Sequence, residues 1–164
     1  MHRGTMTSPV ETLKSIAELR QYIEETMLSK IPLLASMKAK VFQLSDLEFS
    51  IEAPLDPNKN HLMSAFGGSI AALATAAGWG MLMGELKKGN ISASVVVVKS
   101  SIKYLQPVMS DFIASCSKES IVQWTGFFDK LKTNSHSKIK LCVKVVCGGQ
   151  VCAVLEGTFL ARLN

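Results

Sequence analysis

The chain has 164 residues, 48% of them hydrophobic and 19% charged, with a net charge of +5 and a pI of about 9.1. Such a length and composition predict one domain with a sizeable core and exclude a largely disordered chain. The charge is mild, aromatic residues make up 7%, and no helix is rich in Arg or Lys, so nucleic-acid binding is not expected.

In chain order, residues 1–8 are expected to be a disordered extension and 9–164 a single domain. The N-terminus lacks the apolar centre of a signal peptide. Residues 8–30 read as an amphipathic helix, opened by Ser8-Pro9 and Glu11, with Leu13, Ile16, Leu19 and Ile23 on its apolar face. Ile31-Pro32 either ends it or begins a new turn. Next, "KAKVFQL" and "LEFSIEA" predict two strands around Ser45-Asp46, with Phe49 and Ile51 on one face and Glu48, Ser50 and Glu52 on the other. Pro54 and Pro57 bracket a loop, "PLDPNKN".

From about Ser64 to Lys88 the chain predicts a helix that is apolar nearly all round, and therefore buried. Gly78, Gly80 and Gly84 let other groups approach closely, and Trp79 reads as core. Leu62 to Gly84 is long enough to cross a bilayer and carries no Asp, Glu, Lys or Arg. Its Ala, Gly, Ser and Thr content and its strand-like flanks speak against a membrane span.

After this helix everything reads as strand or turn. "ISASVVVVKSSIKYL" is broken by Pro107 and "VMSDFIASCSK" resumes. "TGFFDKLKTNSHSK" reads as a polar, turn-rich connection. "SKIKLCVKVVC" and "QVCAVLEGTFLARL" form a hairpin about Gly148-Gly149. Cys116, Cys142, Cys147 and Cys152 have no CxxC or zinc-ligand spacing. They read as small apolar residues in strands of a reduced, cytoplasmic protein, and no metal site is expected. The class is α+β. A helix apolar on all sides needs a wrap, and an antiparallel sheet curled round it provides one.

Glycines disfavour helix interiors by roughly 1 kcal/mol each, so Gly67-Gly68 at the front of the most apolar helix needs a reason. The first turn of a helix has free N–H donors, and its dipole favours developing negative charge. Without Cβ atoms, Gly67 and Gly68 let an acyl carbonyl reach those donors, each able to contribute about 3 to 4 kcal/mol to an acyl-transfer transition state. The alternative is relief of crowding where the helix enters the sheet.

The order of elements, with "NHLMSAFGGSI" at the helix start and "IKYLQPV" in the next strand, resembles the hot-dog thioesterase superfamily. More narrowly, it is similar to the thioesterase-like domains found alone or fused behind an acetyltransferase domain. The matching features are Ala53-Pro54-Leu55, Asn60, Phe66 to Ser69, Gly78 to Met81, and Ile102 to Val108. The resemblance implies a hot-dog fold with an extra N-terminal helix. It also implies hydrolysis of an acyl-CoA or acyl-carrier-protein thioester, with the coenzyme A thioester as substrate and no cofactor. The implied assembly is a homodimer or dimer of dimers.

In related hot-dog thioesterases the helix start carries an Asn, a His before Gly-Gly, and an Asp further on. Here Asn60 and Gly67-Gly68 match, whereas the His falls on Phe66 and the Asp on Thr75. The carbonyl site carries over and the carboxylate does not. The candidate catalytic residues are therefore Asn60, His61, Gly67, Gly68 and Thr75. Thr75 shares the face of Gly68 and can orient a water or bond back to its own helix. His61 can act as a base at neutral pH, or simply be exposed. Asp56 shares the loop. Asn60 can hold a water or carbonyl, or shape the turn. Ser64, Phe66 and Ser69 are substrate-side candidates, with Ser64 also a candidate helix cap and Ser69 free to bond within the helix. Lys99, Lys103, Lys87 and Lys88 are candidates for coenzyme A phosphates, or plain surface lysines. The absent carboxylate keeps a non-catalytic acyl-CoA binder as the chief alternative, with a hot-dog dehydratase behind it.

Overall fold

A computed structural model describes residues 15–164. The expected extension and the helix start at Ser8-Pro9 lie outside these residues, but the expected helix over 8–30 is interrupted at Ser15, which is extended at φ −146° and ψ 159°. Helix α1, Ile16–Lys30, has Ser15 at its N-cap, whose hydroxyl accepts the Glu18 N–H at 3.1 Å. Its buried residues are Leu19, Ile23 and Met27. On the same helix, Arg20 Nη2 donates to the Val41 carbonyl at 2.5 Å and a Glu24 carboxylate oxygen accepts the Val41 N–H at 2.6 Å. This pair fastens α1 to the first strand. Pro32 opens a second, short helix, α2, Pro32–Ser36, where its missing N–H costs nothing.

Strands β1, Lys40–Leu44, and β2, Glu48–Ala53, form the expected antiparallel hairpin. Ser45 shapes the turn, accepting the N–H groups of Leu47 and Glu48 at 3.2 and 3.0 Å. Phe49 and Ile51 are buried, and so is Ser50 on the opposite face. A single 3₁₀ turn at Asp56–Asn58 follows.

The central helix, α3, runs Gly67–Lys88, three residues later than the expected start at Ser64. Strands β3, Ala93–Tyr104, and β4, Phe112–Ser117, come next. The stretch read as a turn-rich connection is instead a helix, α4, Ile121–Asn134. Ser120 caps it by accepting the Gln123 N–H at 3.3 Å, and Trp124, Phe127 and Leu131 supply a buried stripe at helical spacing. The polar residues between them face solvent, which is why the segment reads as a loop by composition. Strands β5, His136–Cys147, and β6, Gln150–Leu163, close the chain. They are joined by Gly148 and Gly149 at φ +56° and +77°, the left-handed conformations of a two-residue hairpin turn.

The six strands form one antiparallel sheet in the order β1-β2-β4-β5-β6-β3. Helix α3 packs against β2, β3, β4, β5 and β6. Adjacent strands lie about 4.8 Å apart, so one helix meets five of them only if the sheet curls round it. This is the expected hot-dog arrangement, a long central helix wrapped by antiparallel strands with a helix ahead of it. Two glycines make the close approach possible. A Cβ on Gly78 would lie 2.4 Å from the Phe159 ring, and one on Gly80 would lie 2.2 Å from the Phe49 ring. At the rear of α3, buried Glu85 pairs with Lys118 at 2.5 Å and Lys88 at 3.0 Å. Lys88 also reaches Asp46 at 3.1 Å, and Lys118 lies 5.3 Å from the Trp124 ring centre. This cluster ties α3 to the β1–β2 turn and to the start of α4.

Candidate active site at the front of the central helix

The approach to α3 is shaped by two asparagines. Asn58 is buried and donates to the carbonyls of Met37 and Pro54 at 3.0 and 2.8 Å, anchoring the loop. Asn60 closes the next turn on itself. Its Oδ1 accepts the N–H groups of Leu62 and Ser64 at 2.8 and 3.2 Å, and its Nδ2 donates to Ser64 Oγ at 2.9 Å. Asn60 is therefore engaged in shaping the turn, one of its two expected roles. Ser64 does not cap α3, because its hydroxyl serves Asn60 and the helix starts beyond it. The chain then runs extended: the Ala65 N–H donates to the Val108 carbonyl at 2.8 Å and the Phe66 N–H to the Asn58 carbonyl at 2.7 Å.

Phe66 stands at the N-cap with φ −64° and ψ 133°, and no described side chain caps the helix. The N–H groups of Gly67, Gly68 and Ser69 precede any carbonyl they could reach within the helix. From the end of β3, Tyr104 Oη donates to the Gly67 carbonyl at 2.9 Å, fixing the backbone that carries these donors. The Phe66 ring lies over Gly68, where a Cβ would be 2.4 Å from it. Close approach at Gly68 is thus already in use by a ring that is itself 58% exposed. Gly67 leaves ordinary contact distance to Tyr104, 3.4 Å.

Thr75 lies two turns on from Gly68, half-buried. Its hydroxyl makes no hydrogen bond among the described residues. Thr125 and Thr133 show the contrast, each donating to the carbonyl four residues back at 3.0 and 2.8 Å. Gly68, Ala72, Thr75, Trp79 and Met83 form the incompletely buried stripe of α3, spaced by threes and fours. The hydroxyl of Ser69 is likewise without a hydrogen-bond partner among the described residues.

Other candidates fall elsewhere. His61 is exposed in the Asn60 turn. The Asp56 carboxylate pairs with Lys59 at 2.6 Å, which holds its pKa below the usual range. Lys87 lies 4.3 Å from the centre of the Tyr22 ring, and Lys88 belongs to the Glu85 cluster. Both sit at the far end of a helix of 22 residues, about 30 Å from Gly67. On β3, side chains alternate: Ile102 and Tyr104 face α3, so Lys103 faces away, and Lys99 lines a cleft of about 530 Å³ with Glu119, Gln123, Lys140 and Glu156. Among the described residues no group of three or more His, Cys, Asp or Glu side chains is placed to hold a metal.

Two features of this end escaped the reading of the sequence. One is Tyr104, and the signal was present, since "IKYLQPV" supplies both Tyr104 and the Val108 carbonyl that positions Ala65. The other is an apolar rim. Leu62, Met63, Leu105 and Met109 are all exposed, and the Ala65–Val108 bond brings their two loops together.

A family model described as "Putative thioesterase (yiiD_Cterm)" matches residues 20–163. Among solved structures, the chain is similar to one described as a putative thioesterase from Shewanella oneidensis, with 29% identity, a TM-score of 0.81, and 91% of this chain and 100% of that one covered. A protein of unknown function from Chlorobaculum tepidum has the same fold, at 22% identity, TM-score 0.87 and coverage of 90% and 96%. So does a thioesterase from Haemophilus influenzae, at 14% identity, TM-score 0.66 and coverage of 92% of both chains.

Proposed function

The chain belongs to this thioesterase family, described as putative, and from that premise we propose that it hydrolyses an acyl thioester carried by coenzyme A or acyl carrier protein. The observation that carries the proposal is the uncapped first turn of α3. The substrate carbonyl accepts hydrogen bonds from the Gly67 and Gly68 N–H groups, which strengthen as its oxygen becomes anionic. Thr75, on the same face and with a hydroxyl that bonds no described residue, orients the attacking water. The apolar rim of Leu62, Met63, Leu105 and Met109 receives the acyl group. No cofactor takes part, and the four free cysteines fit a reduced cytoplasmic setting.

The working unit in this proposal is a homodimer, alone or paired into a tetramer. Among the described residues strand β3 bonds only β6, leaving its other edge open over Ala93–Tyr104, with Val96 and Val98 exposed. Such an edge is a hazard unless paired, and its own copy across a two-fold axis is the natural partner. The wild type sediments as a dimer or larger at micromolar concentration, and Val96→Pro shifts it towards monomer. A monomeric wild type overturns this part.

A second reading, a non-catalytic acyl-CoA binder, is favoured by the resemblance given above, under which Thr75 falls at the position of the Asp of related hot-dog thioesterases. Thiol release and binding, measured over the same panel of acyl-CoAs, separate the two. Release at any chain length supports hydrolysis, and binding without release supports the binder.

A further inference from the structure

Two of the four cysteines flank the β5–β6 turn. Cys147 is the last residue of β5, and Cys152 lies just inside β6. The register slips beside them: Val146 pairs with Val151 and Val145 with Ala153, so Cys152 has no cross-strand partner. A bulge of this kind re-aims the side chain of its extra residue. Here the buried Cys152 thiol donates to the carbonyl of Gln150, the cross-strand partner of Cys147, at 3.4 Å, which sets the two thiols side by side at the turn.

Cys147 is partly open to solvent, and its Sγ lies 3.0 Å from Ser110 Oγ. Partial burial pushes its thiol pKa up. Hydrogen bonds from the Ser110 hydroxyl, from the backbone at Ser110 and Met109, and from the Cys152 thiol outweigh this and leave it below the ordinary value. Cys142 is a built-in control. It is also partly open, but burial and then Glu119 and Glu156 raise its thiol pKa. Cys116 is pushed up to about 12, chiefly by burial.

We propose that Cys147 and Cys152 form a thiol–disulfide exchange site for low-molecular-weight disulfides. The Cys147 thiolate attacks one sulfur of the disulfide, forms a mixed disulfide and releases one thiolate. Cys152 then loses its proton to that thiolate and attacks the Cys147 sulfur, expelling the second thiolate. Two protein thiols are oxidised to one disulfide, and the small disulfide is reduced to two thiols. An open, activated thiol beside a resolving partner is the arrangement this chemistry needs. The Cys152 carbonyl accepts the Leu105 and Gln106 N–H groups at 2.8 and 3.3 Å, and Val108 of the same loop accepts from Ala65. Oxidation at the hairpin therefore pulls on the loop that seats the front of α3.

The test incubates the full chain with glutathione disulfide and follows it by intact mass and peptide mapping. The wild type ends with a Cys147–Cys152 disulfide, lighter by two hydrogens. Cys152→Ser stops with glutathione on Cys147, formed about tenfold faster than on Cys142. Ser110→Ala slows the reaction at Cys147 and leaves Cys142 unchanged. Equal rates at Cys147 and Cys142 overturn the proposal, as does a wild type that keeps glutathione on Cys147 without closing the disulfide.

Discussion

In the rear half of α3, Gly78 and Gly80 lie under the rings of Phe159 and Phe49, and Glu85 is enclosed by two lysines. At its front, Gly67 and Gly68 have Tyr104 and the exposed Phe66 ring nearest to them, and no described side chain caps the helix. One residue type thus serves two ends of the same helix. At the rear, its small size lets aromatic rings close on the helix axis, and the result is stability. At the front, it admits the Phe66 ring over Gly68, and in the proposed function the backbone donors of the same turn meet the developing charge of the substrate carbonyl.

The comparison is broken most severely at the front. Gly68→Pro removes one donor and should lower thioester turnover by about 100- to 1000-fold. Its effect on stability should be small, because proline suits a first helical turn and the exposed Phe66 ring has room to move. Steady-state kinetics beside a urea titration checks both halves. Full activity would mean that the donors lie elsewhere.

Thr75→Val tests the next element on that face. It is nearly isosteric and removes a hydroxyl that no described residue satisfies. Turnover should fall about 100-fold, with little change in fold by circular dichroism. His61→Ala should cost little. The opposite ranking would assign water activation to His61.

At the rear the effects fall on stability. Glu85→Ala leaves Lys118 and Lys88 without their shared carboxylate. Complete burial would make this cost about 3 to 5 kcal/mol, and the partial exposure of both lysines reduces it to roughly 2 to 3 kcal/mol. Gly80→Ala gains about 1 kcal/mol in helix propensity but forces a Cβ against the fully buried Phe49 ring. Overpacking should win, for a net loss of about 1 to 2 kcal/mol. Denaturant unfolding measures both, and turnover per folded molecule should stay near wild type.

The elements most legible in the sequence were those with strong local signals. The Gly148-Gly149 hairpin, the alternating charges of β5 and the uniformly apolar α3 could be read directly. Helix α4 was missed because Trp124, Phe127 and Leu131 are separated by Thr125, Gly126, Asp129 and Lys130, whose composition suggests turns. Only packing against β5 shows that the buried stripe outweighs them. The start of α3 was misplaced for a related reason. Ser64 has the chemistry of a cap, but Asn60 engages its hydroxyl and the Val108 carbonyl holds the following residue extended.

What the sequence determined by itself is therefore periodic or local: the class, the long buried helix, the glycine pair at its start, and the absence of a carboxylate at Thr75. Repeats of 2 and 3.6 residues are written along the chain and need no knowledge of distant neighbours. What only the tertiary structure decided is which groups stay free. Asn60 is committed to its turn, Lys88 to Glu85 and Asp46, and Tyr104 to Gly67, while the hydroxyl of Thr75 bonds none of the described residues. Two of these pairings, Lys88 with Asp46 and Tyr104 with Gly67, join residues 42 and 37 positions apart, brought within about 3 Å by the tertiary fold.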